Sequence, residues 1–432
     1  MADFLTAAEA ARRLGVKPAT LYAYVSRGVL SRGKAADGRA SLFNADEVER
    51  LARRGRPRRP AGVADITVES AITEITGDSL RFRGLDATRL AVSRIFEEVA
   101  ELLWTGELRS AREPWQARPA ALAAGRAAQA ALPAGTLPLE RLQVIVPAMA
   151  ATDPLRLQLD PAAVLAAGRS IIAGMVDCLP STATSGPGTS GPGISGPGIS
   201  GPGISGPGIS GPGTSGPGQP VAERLWSRLC DRRASPALMH AMSAALVLLA
   251  DHELAASTLA ARAAASVRAD PYAVVGTGLG AVSGALHGGA SLGAETLMAA
   301  ASGPDDVPRV VAELLRRGEK VPGFGHFVYR GGDPRAVVLL DLVRRAAPKS
   351  GPLAVADALV AEIRQKSLPE PNIDFAIATL ARAAGMVRGG AEAIFAVART
   401  AGWIAHALEA YAGPGPLRPR AVYTGKPAAD GP

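Results

Sequence analysis

Cysteine is almost absent from these 432 residues. With Cys178 and Cys230 as the only two, a disulfide framework is excluded, and neither has metal-ligand spacing to a histidine. No run of about 18 uninterrupted apolar residues occurs, and the N-terminus, MADFLTAAEAARRLG, lacks the apolar core of a signal peptide. The expected compartment is therefore the cytoplasm, with both cysteines reduced and structural. Aromatic residues make up 4% of the chain and histidine occurs five times, so each histidine weighs heavily in a search for chemistry. Alternating strand patterns are missing from residue 66 onward. Alanine, leucine and arginine take their place. The 47% apolar content is that of a globular protein, and this length suffices for two or three domains with cores of their own.

The net charge of +8 is concentrated at one end. Residues 1–60 hold 13 Lys/Arg against 6 Asp/Glu, which leaves 34 against 33 for all the rest. A general preference for arginine over lysine cannot produce that asymmetry, so the N-terminal segment is expected to meet an anionic partner. Its pattern agrees. Thr6 followed by Glu9 reads as a capping box that opens a helix, with Ala10 and Leu14 on its apolar side and Gly15 ending it. Pro18 can start a second helix over 18–27. The segment EAARRLGVKPATLYAYVSRGVL, followed by a hairpin-like KAADGRASLF and a helix-like ADEVERLARR, resembles the winged helix-turn-helix of the MerR type. That resemblance implies that Lys17, Thr20, Tyr22, Tyr24 and Arg27 face DNA or its backbone, with Arg39 on the wing. A small helical module that contacts protein, or only decorates a larger domain, fits the same residues. The boundaries read as a module over 1–55 and a basic, proline-interrupted linker over 56–65.

Beyond the linker, ATRLAVSRIFEEVAELLWTGEL and SPALMHAMSAALVLLADHE carry apolar residues at three- and four-residue spacing, and the expected architecture is all-α. Residues 185–218 interrupt it with seven copies of SGPG at a five-residue period. Proline in every copy blocks helix and ladder, and glycine raises the entropic cost of order. Glycine at every third position is not found, which excludes collagen. The tract reads as an expanded, disordered surface loop between two helices, with no chemistry of its own.

The segment from Gly323 to Arg335, GFGHFVYRGGDPR, places one histidine and two arginines among glycines. An imidazole and two cations in such a loop suit an anionic substrate, although an ordinary glycine-rich surface loop has the same composition. His252 in LADHELAAST and His287 in ALHGGASLGA also sit in unusual contexts, whereas His240 and His406 lie in plain helical patterns. Asp374 in PEPNIDFA is a carboxylate among apolar residues, where desolvation would raise its pKa and make it a useful base.

At this point a resemblance covers some 360 residues. From about 66 to 425 the chain resembles the citrate synthase family through SAITEITGDSLRFRGLD, FEEVAELLWTGEL, LADHELAAST, ALHGGAS, VPGFGHFVYRGGDPRA, PNIDFA, AVARTAGWIAH and LRPRAVYTG, in that order. The resemblance implies condensation of acetyl-CoA with oxaloacetate, with Asp374 as the base, His287 as donor to the thioester carbonyl and His326 acting on the ketone. It implies oxaloacetate contacts from His252, His326, Arg335, Arg399 and Arg418, a coenzyme A phosphate contact from Arg330, and no metal or redox cofactor. It further implies a homodimer in which Arg418 reaches the neighbouring subunit's site. The implied fold has a large helical domain over 66–288 and 386–425, broken by the SGPG loop, and a small helical domain over 289–385 that closes on the substrates. One residue departs from the family pattern: Ser291 stands where asparagine is usual after HGGA. The alternatives are 2-methylcitrate synthase, which takes propionyl-CoA with the same residues, and a DNA-binding regulator with a ligand-sensing synthase domain.

Overall fold

The computed structural model of the chain describes residues 4–14, 21, 25, 30–34, 41–45, 47–48, 68–110, 113–182, 218–413 and 415–419. Lys17, Thr20, Tyr22, Tyr24, Arg27 and Arg39, the linker at 56–65 and all but Gly218 of the SGPG tract lie outside the described residues. Two compact units divide the chain, residues 1–68 and 69–432.

In the first unit, β1 (Phe4–Thr6) runs directly into α1 (Ala7–Leu14), and β2 (Arg32–Lys34) and β3 (Ser41–Asn44) complete an antiparallel sheet in the order β1-β3-β2. The capping box forms as its spacing predicts. The Thr6 amide donates to Glu9 Oε2 at 2.9 Å and the Glu9 amide donates back to Thr6 Oγ1 at 3.4 Å. Gly33 pairs with Leu42, so the strands on either side of the hairpin-like turn pair antiparallel. β1 is an addition to the sequence-based expectation, because three residues are too few to show alternation. Ala10, Ala11, Leu21, Leu30, Phe43 and Val48 are buried together and give this unit a core of its own.

The second unit is helical behind one small antiparallel sheet, β4 (Thr73–Thr76), β5 (Ser79–Phe82) and β6 (Leu85–Asp86). Its helices are α2 (Ala87–Ser93), α3 (Phe96–Thr105), α4 (Pro119–Ala130), α5 (Pro138–Ala150), α6 (Pro161–Cys178), α7 (Val221–Leu229), α8 (Pro236–Leu249), α9 (Ala256–Ser266), α10 (Pro271–Val282), α11 (Gly289–Ala300), α12 (Val307–Arg316), α13 (Pro334–Ala346), α14 (Gly351–Gln365), α15 (Ile373–Ala384) and α16 (Gly390–Ala412). Proline and acidic or hydroxyl residues set many of their starts. In α6, α8, α10 and α13 a proline occupies the first helical position, where no amide is needed. The preceding Asp160, Ser235, Asp270 or Asp333 accepts from the free amides of the first turn.

The 23-residue α16 is buried on nearly every side, and its Ala401 carbonyl accepts from Trp104 Nε1 at 2.8 Å. Alanine dominates it because neighbouring helices must approach on all faces. Helix α6 has the length and a mean hydropathy of 1.3 that would also suit a membrane span, yet eleven of its residues are buried in the core of this unit. Both cysteines are free and buried. The flanks of the SGPG tract are helices, as expected. They are tied together by an Arg224–Asp177 ion pair and by the Thr182 hydroxyl, which donates to the Ser227 carbonyl at 3.4 Å.

Candidate active site

Loop 323–329 is stapled to the start of α15. The Gly325 amide donates to the Glu370 carbonyl at 2.8 Å, the Asn372 amide to the Gly323 carbonyl at 2.9 Å, and Asn372 Nδ2 to the Gly325 carbonyl at 2.8 Å. Phe324 faces Pro371 across this short antiparallel bridge. Gly323 has φ +82°, and a Cβ there would stand 2.8 Å from the Cβ of Phe375, so both backbone conformation and contact with α15 demand glycine. Asn372 is the cap of α15, its Oδ1 accepting from the amides of Asp374 and Phe375 at 3.0 and 3.3 Å. Asp374 is thereby held in the first helical turn beside the histidine loop.

His326 accepts at Nδ1 from the amides of Val328 and Tyr329, at 3.0 and 3.3 Å. Its remaining proton must therefore sit on Nε2, which lies 3.4 Å from Nη2 of Arg335. Two donors facing each other call for an acceptor, the role a substrate oxygen would fill. Burial first, then the Arg335 charge, lowers the His326 pKa to about 4, so the ring is neutral at pH 7. Arg335 is itself buried and forks onto Asp333, with Nε to Oδ1 at 2.9 Å and Nη2 to Oδ2 at 2.7 Å. Burial alone would raise the Asp333 carboxyl; the charge and hydrogen bonds of Arg335, with the Ile373 amide, together hold the group below the ordinary range. Asp333 also accepts from the amides of Arg335 and Ile373.

His252 follows α8 and is only 7% exposed. Its Nε2 lies 3.0 Å from the Tyr329 hydroxyl, and its ring meets that of His326 edge-on with centroids 5.2 Å apart. Burial, then the charges of Arg335 and Arg399, keep it far below the usual histidine range.

His287 Nε2 lies 2.7 Å from Ser257 Oγ, which also accepts from Trp403 Nε1 at 3.3 Å. Indole can only donate, so the serine proton is free to go to His287 Nε2 and leave the imidazole proton on Nδ1. Burial and then Arg399 lower His287 to about 4. Arg399 comes from α16 and is 1% exposed. Its Nε donates to the Leu249 carbonyl at 2.8 Å, its guanidinium stacks 4.7 Å from the Phe395 ring, and its Nη1 is buried with no hydrogen-bond partner. An orphaned donor of this kind costs free energy unless a ligand meets it. Burial lowers Arg399 to about 10, which leaves it charged at neutral pH. Asp374 goes the other way. Burial raises it to about 6 against the Ser291 hydroxyl bond and the Arg335 charge.

Thus His252, His287, His326, Arg335, Arg399 and Asp374, spread over 148 positions of sequence, converge on one electrostatic cluster. Arg330 and Arg418 are exposed, and no hydrogen bond or ion pair ties them to that cluster among the described residues. Sequence reasoning overlooked Tyr329, Asp333, Ser257 and Phe395. Only the DP pair hinted at one of them, Asp333, as a helix cap.

Residues 62–420 match the family described as "Citrate synthase, C-terminal domain", and residues 4–56 match a helix-turn-helix domain. Citrate synthase 2 of Bacillus subtilis is 36% identical over 212 residues, 48% of this chain and 56% of that protein. Citrate synthase of Haloferax volcanii is 39% identical over 186 residues, 42% of this chain and 49% of that protein. The chain spans about half the length of these relatives. Among solved structures, the ternary complex of Thermoplasma acidophilum citrate synthase with carboxymethyl coenzyme A and oxaloacetate superposes with a TM-score of 0.67 at 24% identity, covering 85% of this chain and 96% of that one. The Thermotoga maritima citrate synthase gives 0.64 at 24% identity, covering 86% and 97%.

Proposed function

Because the chain belongs to the citrate synthase family, we propose that it condenses acetyl-CoA with oxaloacetate and water to give citrate and free coenzyme A. One observation carries this reading: a carboxylate with a raised pKa, Asp374, shares a cluster of buried guanidinium groups with two neutral imidazoles, His287 and His326. Asp374 takes a proton from the acetyl methyl group while Nδ1–H of His287 donates to the thioester oxygen, so that an enol forms in place of a costly enolate. The enol carbon attacks the ketone carbon of oxaloacetate as the enol proton returns to Nδ1 of His287 and the thioester carbonyl reforms, while the ketone oxygen takes the Nε2 proton of His326 and becomes the tertiary alcohol. Water then cleaves the thioester, and the thiol of coenzyme A leaves. The thioester supplies the activation, and the scheme calls for no metal or redox cofactor.

Arg399, with its orphaned Nη1, and Arg335 supply positive charge for the two oxaloacetate carboxylates. His252 is the further oxaloacetate contact, and Arg330 is assigned to coenzyme A. The exposed Arg418 is assigned to the site of a second copy, which makes the working enzyme a homodimer with the 289–385 segment closing over each site. DNA is the proposed partner of the helix-turn-helix domain. A pure ligand sensor would need no base and donor pair, which favours catalysis over sensing alone.

The test is oxaloacetate-dependent thiol release, assayed with acetyl-CoA and propionyl-CoA in parallel. Release is expected with acetyl-CoA and should fall roughly 100- to 10,000-fold in Asp374→Ala. Absence of release with both thioesters sinks the reading. A kcat/KM favouring propionyl-CoA replaces it with the methylcitrate reaction, since one methylene is worth only about 1–3 kcal/mol in an apolar pocket.

A further inference from the structure

Ser291 stands four residues after His287, in the first turn of α11, and is 0% exposed. Its hydroxyl donates to Oδ1 of Asp374 at 2.6 Å, a length typical of a charge-assisted O–H bond to a carboxylate. The serine has one proton, and it goes to Asp374. The amide of Asp374 is already committed to Asn372, so the backbone holds the residue and Ser291 holds the side chain. Oδ2 carries no hydrogen bond among the described residues.

We infer that Ser291 is the positioning residue of the base: its hydroxyl pins Oδ1 of Asp374, leaves Oδ2 as the proton-accepting oxygen, and favours the charged form of the carboxylate by the hydrogen bond it donates. This rests on Asp374 being the base of the proposed condensation. The charged groups around Asp374 cannot do the same work. Arg335, at the start of α13, is forked onto Asp333, which also faces Asp374 and opposes ionisation. Arg399 on α16 acts without a hydrogen bond to it. Glu295 on α11 accepts from the amides of Gly389 and Ala391, and Arg364 on α14 is paired with Glu370. His287 and His326 are neutral. Among the influences that lower Asp374, the Ser291 bond is the largest.

Infrared difference spectra of the full chain, titrated on either side of pH 6, read the protonated carboxyl of Asp374 directly, the band being assigned by its absence in Asp374→Asn. The parent is expected to half-ionise near 6, and Ser291→Ala about one unit or more higher. The acid limb of kcat should move by the same amount, with the KM for oxaloacetate unchanged. Ser291→Thr, which keeps the hydroxyl, should titrate like the parent. If the alanine protein does not fold, Ser291→Cys keeps the bulk, weakens the donor and should shift in the same direction. An Asp374 band at the same pH in parent and Ser291→Ala overturns the inference, as does a fall in kcat with the acid limb unmoved. Because the infrared titration needs no turnover, it decides the role of Ser291 even if thiol release is absent, whereas absent release defeats the condensation reading alone.

Discussion

Burial lifts the Asp374 carboxyl from 3.8 to about 6, which ties the property proposed for the base to a stability cost. Between those two values the folded chain holds a proton that the unfolded chain has released, so stability falls as pH rises through this window. Above 6 the cost is complete; below 3.8 it vanishes. With partial solvent access it amounts to roughly 1–3 kcal/mol. Asp374→Asn should therefore raise the thermal midpoint above pH 7 and leave it unchanged near pH 4, in melts run on parent and variant together. A variant that melts lower at every pH would refute the argument. His252, His287 and His326 have depressed pKa values and lose stability in the opposite direction, as pH falls from 6.5. They do so in both proteins, so the difference isolates Asp374. His287, His326 and Asp374 are legible in the sequence because glycines or apolar neighbours make their contexts unusual. Tyr329 is not, since a tyrosine in a loop signals nothing until the fold brings it 3.0 Å from a histidine 77 positions away.

At the scale of elements, the helices follow from periodicity and from DP and SP pairs that cap them, while β4 and β5 escape detection because four residues cannot display a convincing alternation. The same scale explains the SGPG tract. Asp177 near the end of α6 pairs with Arg224 of α7, and Arg224 also donates to the Trp115 carbonyl at 2.7 Å. These bonds belong to the folded unit on either side and do not depend on what joins them. Closing a loop of half the length changes free energy by only about 0.6 kcal/mol. Replacing residues 186–215 with a short glycine and serine linker should shift stability by less than about 1 kcal/mol and leave thiol release at the parent rate. A loss of several kcal/mol in denaturant melts would mean that the tract contacts the folded part.

At the scale of the molecule, charge, core and family likeness divide the chain at the same place. The excess of +7 lies within residues 1–60, the helix-turn-helix match ends at 56 and the synthase match begins at 62. Residues from Ala10 to Val48 form one core and those from Ile72 onward another. A unit with its own core can be removed without opening its neighbour. Deleting residues 1–60 should therefore leave thiol release and the thermal midpoint of the larger unit in place while removing any affinity for duplex DNA. In the parent, that affinity should fall steeply with salt, with a slope of about −0.9 in log K against log salt for each phosphate neutralised. Fluorescence anisotropy with a labelled duplex at low and physiological salt reads both. If the parent binds no DNA at low salt, the basic segment serves a different anionic partner. If the truncated chain still binds, the arginines of the larger unit are responsible, and the charge asymmetry has been assigned to the wrong end.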